Sequence, residues 1–179
     1  LIELGMAQVT ADTALQLIGD GFSFTEGPAV DAEGNVFFTD QPNNRIWKYG
    51  TDGKLSIFME NAGRSNGLYI DHNGYLIACA DEHNELWCIG KDRSVEKLAD
   101  GYRDSVFNGP NDVWVSPGGL IYFTDPYYQR DYWERTEPDM QVQALYVYRD
   151  GQVTRLDDQF KQPNGIIGTP DGKALYVAD

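Results

Sequence analysis

Short apolar runs recur along this chain, separated by polar turns rich in Gly, Asp and Asn. The runs come in sets. Each set opens on one polar residue, continues into a first apolar run, turns at a glycine eight positions after the opener, and enters a second apolar run. The openers and their glycines are Glu26 with Gly34, Asn66 with Gly74, Asn111 with Gly119, and Asn164 with Gly172. The surrounding text repeats as TEGPAVDAEGNVFFTD, SNGLYIDHNGYLIACA, PNDVWVSPGGLIYFTD and PNGIIGTPDGKALYVAD. Successive openers stand 40, 45 and 53 residues apart. A fixed offset inside a variable period marks one structural unit copied with different loops.

The unit is β. After the first run, second strands are predicted at Val36 to Thr39, Leu76 to Ala80, Ile121 to Thr124 and Leu175 to Ala178. Third strands follow at Arg45 to Tyr49, Leu86 to Ile89 and Leu145 to Tyr148, and fourth strands at Leu55 to Met59, Val95 to Ala99 and Val153 to Leu156. These stretches are rich in β-branched and aromatic residues, and turn pairs such as Asp52-Gly53 and Asp150-Gly151 separate them. No window sustains a helical period. Four strands in roughly 40–50 residues is the pattern of a β-propeller blade.

The expected blades cover 26–60, 66–100, 111–157 and 164–179, the last with two strands. About three and a half blades do not close a ring of ~4–8. The chain therefore reads as one all-β propeller domain, incomplete at its C-terminal side. The other reading is that two copies pair to complete one ring. The apolar run Ala14 to Ile18 is the expected outer strand that closes the ring on its last blade.

Composition narrows the chemistry. A net charge of −14, from 28 acidic against 14 basic residues, argues against nucleic acid, whose phosphates need clustered Lys and Arg. The same balance favours a cation wherever acids and amides meet. No apolar stretch has the length of a membrane span, so a soluble protein is expected, with cytoplasm and periplasm both open. Cys79 and Cys88 fall on adjacent predicted strands. Either they form a strained cross-strand disulfide or, the favoured reading, they are two buried thiols. Neither has the spacing of a zinc site.

In a propeller the innermost strand of each blade lines the central channel. An opener just ahead of that strand stands at the channel mouth, so Glu26, Asn66, Asn111 and Asn164 are expected to ring one opening. One carboxylate with amide carbonyls is a hard oxygen set, suited to Ca²⁺ and less well to Mg²⁺ or Mn²⁺. For Asn66-Gly67 and Asn164-Gly165 the competing role is a simple turn pair. Arg64 is placed to reach the mouth. Between the second and third strands of the third blade lies an insertion, Pro126 to Gln143. Its Tyr127, Tyr128 and Trp133, mixed with Arg130, Asp131, Glu134 and Arg135, are candidates for a sugar-binding lid; a surface loop packing its own aromatics is the alternative. Asp40 and Asp125 end second strands and read as turn formers. Asp112 is expected to point away from the channel, since adjacent strand residues face opposite ways. His72 and His83 read as surface residues.

From about residue 22 onward these motifs resemble the gluconolactonase, regucalcin and senescence-marker-protein family, with diisopropylfluorophosphatase as a more distant relative. The Asn-Gly-Pro-Asn-Asp and Phe-Thr-Asp-Pro segments are similar to its bacterial gluconolactonase branch. The resemblance implies a six-bladed propeller carrying a divalent ion at the channel mouth, Ca²⁺ first with Mg²⁺, Mn²⁺ or Zn²⁺ as alternatives. It implies that Glu26 and Asn164 bind the metal and that Asn111 holds metal, or metal-bound water and substrate. Asn66, Arg64 and the insertion aromatics remain as substrate-binding candidates. The family's further ligand, an aspartate often credited as general base, is expected beyond residue 179, so this stretch alone is expected to be inactive. The implied reaction is hydrolysis of a sugar lactone. No Gly-x-Ser-x-Gly elbow is present, which disfavours a serine hydrolase. Two alternatives stand beside it: hydrolysis of another ester or phosphotriester, and a non-catalytic binding propeller with a structural Ca²⁺.

Overall fold

Each expected strand set folds into its own antiparallel meander. In the computed structural model, which describes residues 15–179, the first sheet holds β1 (Thr25–Val30), β2 (Val36–Asp40), β3 (Arg45–Tyr49) and β4 (Leu55–Glu60) in sequence order. The second holds β5 (Ser65–Ile70), β6 (Leu76–Ala80), β7 (Glu85–Ile89) and β8 (Val95–Ala99). A small hairpin follows, β9 (Gly101–Tyr102) with β10 (Ser105–Val106), which the apolar pattern did not foretell. The third sheet holds β11 (Val113–Val115), β12 (Ile121–Asp125), β13 (Gln143–Arg149) and β14 (Gln152–Phe160); β15 (Ile166–Gly168) pairs with β16 (Leu175–Val177) in the last. The described residues contain no α-helix, only a single 3₁₀ turn at Gln41–Asn43. The fold is an all-β propeller segment whose ring is not closed.

The glycine eight residues after each opener sits where the chain reverses between first and second strands. Gly34, Gly74, Gly119 and Gly172 all have positive φ, from 69° to 90°, a region that favours glycine. That conformational need fixes the offset visible in the sequence.

The core lies between adjacent sheets. Phe37, Ile46, Leu68, Leu76 and Ile89 fill the space between the first and second. Ile77, Leu86, Phe107, Val113, Phe123 and Tyr146 fill that between the second and third. Trp114, Leu145 and Ile166 begin the next layer. The inner strands β1, β5, β11 and β15 consequently run side by side. Cys79 is buried and Cys88 half-buried, and both are free thiols. In the register Cys88 faces Ile77 while Cys79 faces Leu86, so the two are not cross-strand partners. Of the run expected to close the ring, residue 14 lies outside the described residues. Leu15 to Ile18 belong to no strand.

Candidate functional site

The second strand of a blade ends in Thr-Asp in the first and third blades, and each of these residues ties the openers in place. Thr39 Oγ1 lies 3.1 Å from the carbonyl oxygen of Glu26 and 3.0 Å from that of Asn66, joining the first two openers. Thr124 Oγ1 donates to the carbonyl of Asn164 at 2.7 Å, joining the third blade to the fourth. The second blade has Cys79 at this position, and there the Gly67 amide bonds the carbonyl of Asn111 directly, at 2.7 Å. The opener backbones are thus linked in series by short hydrogen bonds.

The aspartates act on the segment leading into each opener. Asp40 accepts from the Ser23 and Phe24 amides at 3.0 and 3.2 Å. Asp125 accepts from Asn108 and Gly109 at 2.9 and 2.8 Å, and Asp179 from Lys161 and Gln162 at 2.9 and 2.7 Å. In all three, the capped amides stand three and two residues before the opener. Asp40 and Asp125 are therefore clamps that aim the openers, a role more specific than forming a turn.

Asp125 is fully buried, and burial pushes its carboxyl up to about 7 against the pull of the two amides. Between the ordinary value of 3.8 and about 7 the folded state holds a proton that the unfolded chain has released. This group's contribution to stability is therefore full below that window and falls as pH rises through it. Asp125→Asn should flatten that part of the slope, and should also cost about 1–3 kcal/mol because an NH₂ then faces backbone amides. Urea midpoints at about pH 5 and about pH 8 check this; equal slopes in parent and variant would remove the assignment.

All four openers line one groove of about 330 Å³ between the inner strands. β-bulges between Glu26 and Ala29 and between Ser65 and Leu68 break the inner-strand register beside Glu26 and Asn66, which re-aims side chains there. Asn66 and Asn111 are each only 5% exposed. Among the described residues, neither their side chains nor the Glu26 carboxylate has a hydrogen-bond or ion-pair partner. Asn164 is exposed and donates from Nδ2 to the Tyr128 hydroxyl at 3.2 Å, leaving its amide oxygen uncommitted. The groove contains no His or Cys, and no group of three or more His, Cys, Asp or Glu suited to a metal occurs among the described residues. Its donors are oxygen: one free carboxylate and three carboxamides.

Asp112 corrects the sequence reading. It lines the same groove, because strand alternation does not yet apply to it: β11 begins one residue later. Its carboxylate turns along the inner strands, accepting from Val113 at 2.9 Å and from Ile166 at 2.9 Å. Burial raises its pKa, and the charge of Glu26 adds to the rise. The groove thus holds two acidic groups close enough to feel each other, a field that favours a cation.

The other candidates are distributed differently. Arg64 does not line this groove. Its guanidinium reaches the Pro42 carbonyl at 2.6 Å, pairs with Glu82 at 3.5 Å and stacks on Tyr132 at 4.4 Å. Of the insertion aromatics, Tyr128 is the one that shares a hydrogen bond with an opener, Asn164. Tyr127 packs 5.9 Å from Trp133, and Trp133 Nε1 donates to the Asp81 carbonyl at 2.9 Å. The insertion does lie on the opener face, since second strands end where first strands begin, with Thr25 opposite Asp40. His72 and His83 are exposed; His72 Nε2 meets the Ser116 carbonyl at 2.9 Å and braces the second blade against the third. No helix among the described residues is long and apolar enough to cross a membrane.

A propeller segment with a polar, oxygen-lined mouth defines the class. The family described as SMP-30/Gluconolactonase/LRE-like region matches residues 24–179, and the chain belongs to that family. A gluconolactonase of Zymomonas mobilis is 27% identical over 192 aligned positions, covering 97% of this chain and 53% of that protein. The structure of a gluconolactonase from Xanthomonas campestris superposes with a TM-score of 0.84 at 26% identity, over 90% of this chain and 56% of that one. Regucalcin from Agrobacterium tumefaciens, a calcium-binding protein, shares the fold with a TM-score of 0.68 at 19% identity, over 88% of this chain and 51% of its own. The chain therefore spans about half the length of these relatives.

Proposed function

We propose that the protein hydrolyses a sugar lactone at the mouth lined by the four openers. The observation that carries this reading is the set of uncommitted polar groups in one groove: the Glu26 carboxylate with the side chains of Asn66 and Asn111 and the free amide oxygen of Asn164. Partly buried polar groups left without protein partners cost stability unless a ligand or water satisfies them. Their presence together in one groove of a chain of the gluconolactonase family supports a ligand-binding role.

The donors fit a hard divalent cation, Ca²⁺ first, with Mg²⁺, Mn²⁺ or Zn²⁺ as alternatives. Glu26, Asn111 and Asn164 would hold it, and its part would be to polarise the lactone carbonyl. Glu26 supplies the formal charge that draws the cation in. Asn111, nearly buried in the same groove, would orient substrate or an attacking water through its amide. Asp112 is committed to two backbone amides and so fixes β15 against β11 rather than exchanging protons.

The test uses the protein at its full natural length with glucono-lactone, following acid release above the spontaneous rate. Turnover is expected, with loss on chelation and recovery on adding back one of the four cations. Asn111→Ala is expected to lower kcat by about 10²-fold while changing cation affinity far less, as for a group that acts on the reacting water. Full activity after exhaustive chelation would leave the binding-propeller reading in front.

A further inference from the structure

The insertion after β12 is tied down by a buried aspartate of the second blade, Asp81. Asp40, Asp125 and Asp179 each clamp the amides three and two residues before an opener. In the second blade those positions are Gly63 and Arg64. The Arg64 amide bonds Asn44 Oδ1 instead, at 2.8 Å. Ala80 holds the register position of Asp40, facing Ser65 as Asp40 faces Thr25, and offers no carboxylate. Asp81, one residue further on, is 1% exposed and caps no amide there. Its Oδ2 accepts from Arg130 Nε at 2.7 Å, Tyr132 Oη at 2.8 Å and Gln41 Nε2 at 2.9 Å. Two of the three donors come from the insertion, and Trp133 binds the Asp81 carbonyl.

The contacts continue to the groove. The Arg130 guanidinium lies 5.6 Å from the centre of the Tyr128 ring. The Tyr128 hydroxyl takes the Nδ2 proton of Asn164 at 3.2 Å. The insertion is also held on the fourth-blade side by Gln162 Nε2 on the Tyr127 carbonyl at 2.9 Å. A carboxamide can present either its oxygen or its NH₂ to a ligand. With Nδ2 committed to the Tyr128 hydroxyl, Oδ1 is the atom left for the groove.

We propose that Tyr128 is a positioning residue for Asn164, and that Asp81, through Arg130, pins the insertion so that the Tyr128 hydroxyl stays on Asn164 Nδ2. The inference rests on the reading of the groove as a cation site. It assigns that site an outer layer built on the second blade's Asp81.

Ca²⁺ binding by calorimetry, on the full-length protein without substrate, tests it. Tyr128→Phe is expected to weaken Ca²⁺ about three- to ten-fold, the scale of one neutral hydrogen bond, with an unchanged melting midpoint of the cation-free protein. Asp81→Asn is expected to weaken Ca²⁺ comparably and to speed tryptic cleavage after Arg130 and Arg135. Arg130→Gln breaks the same link from its more exposed end, should Asp81→Asn fold poorly. Combining Tyr128→Phe with Arg130→Gln should cost little more than the worse single change, because both act through one contact. Glu26→Gln is the reference. If it loses Ca²⁺ while Tyr128→Phe binds as the parent does, this inference alone falls. If Glu26→Gln also binds as the parent does, the cation reading falls and takes this inference with it.

Discussion

Glu26→Gln is expected to weaken divalent-cation binding by about 10²–10³-fold and to lower lactone turnover in step. Gln keeps the size and one oxygen of Glu, so packing at the bulge is preserved. What is lost is the only formal charge among the four openers. The three carboxamides supply dipoles, but they add no net attraction for an ion arriving from water. Asp112 cannot replace the charge without giving up the Val113 and Ile166 amides. Because the charge of Glu26 helps raise the Asp112 pKa, the substitution should also let Asp112 fall towards its ordinary value. The measurement is calorimetric titration with Ca²⁺ beside an acid-release assay. Cation affinity within about threefold of the parent would show that the carboxylate does not hold the ion.

Much of the fold was legible because its determinants are local. Strand alternation, turn glycines with positive φ and Asp-Gly pairs all act within a few residues, and they mark where β2, β6, β12 and β16 run. The common offset of the openers was legible for the same reason, since it counts one strand and one turn. What acts across blades left no local trace. Nothing within the second blade's own text says that Asp81 bonds Arg130 and Tyr132, 49 and 51 residues later. The Thr-Asp pairs were visible as strand ends, yet the bonds from Thr39 to Asn66 and from Thr124 to Asn164 follow only from blade packing. Asp112 was misread by applying strand alternation one residue too early. A usable signal was present for Asp81: the second blade has Cys79-Ala80 where its neighbours have Thr-Asp, and its aspartate comes one residue later, a break in the repeat beside the insertion.

Gly67→Ala is expected to destabilise the fold by about 3–5 kcal/mol and to separate the openers of the second and third blades. A Cβ on Gly67 would stand 2.5 Å from Asp112 Oδ1 and 2.6 Å from the Asn111 carbonyl oxygen. Neither neighbour can give way cheaply. The carbonyl is backbone and accepts the Gly67 amide at 2.7 Å, and Asp112 is fixed by two amides of its own. The chain must therefore open the junction between β5 and β11. That loses an inter-blade hydrogen bond and admits water beside a partly buried carboxylate. Gly119→Ala is the control for glycine loss as such. It has φ +81° but no atom within 4 Å of a new Cβ, so strain of about 1–2 kcal/mol is all it should cost. Urea midpoints of the two variants separate crowding from backbone strain. A Gly67→Ala variant no less stable than Gly119→Ala would mean that the blades do not meet at the mouth as closely as this arrangement of Asn66, Asn111 and Asp112 requires.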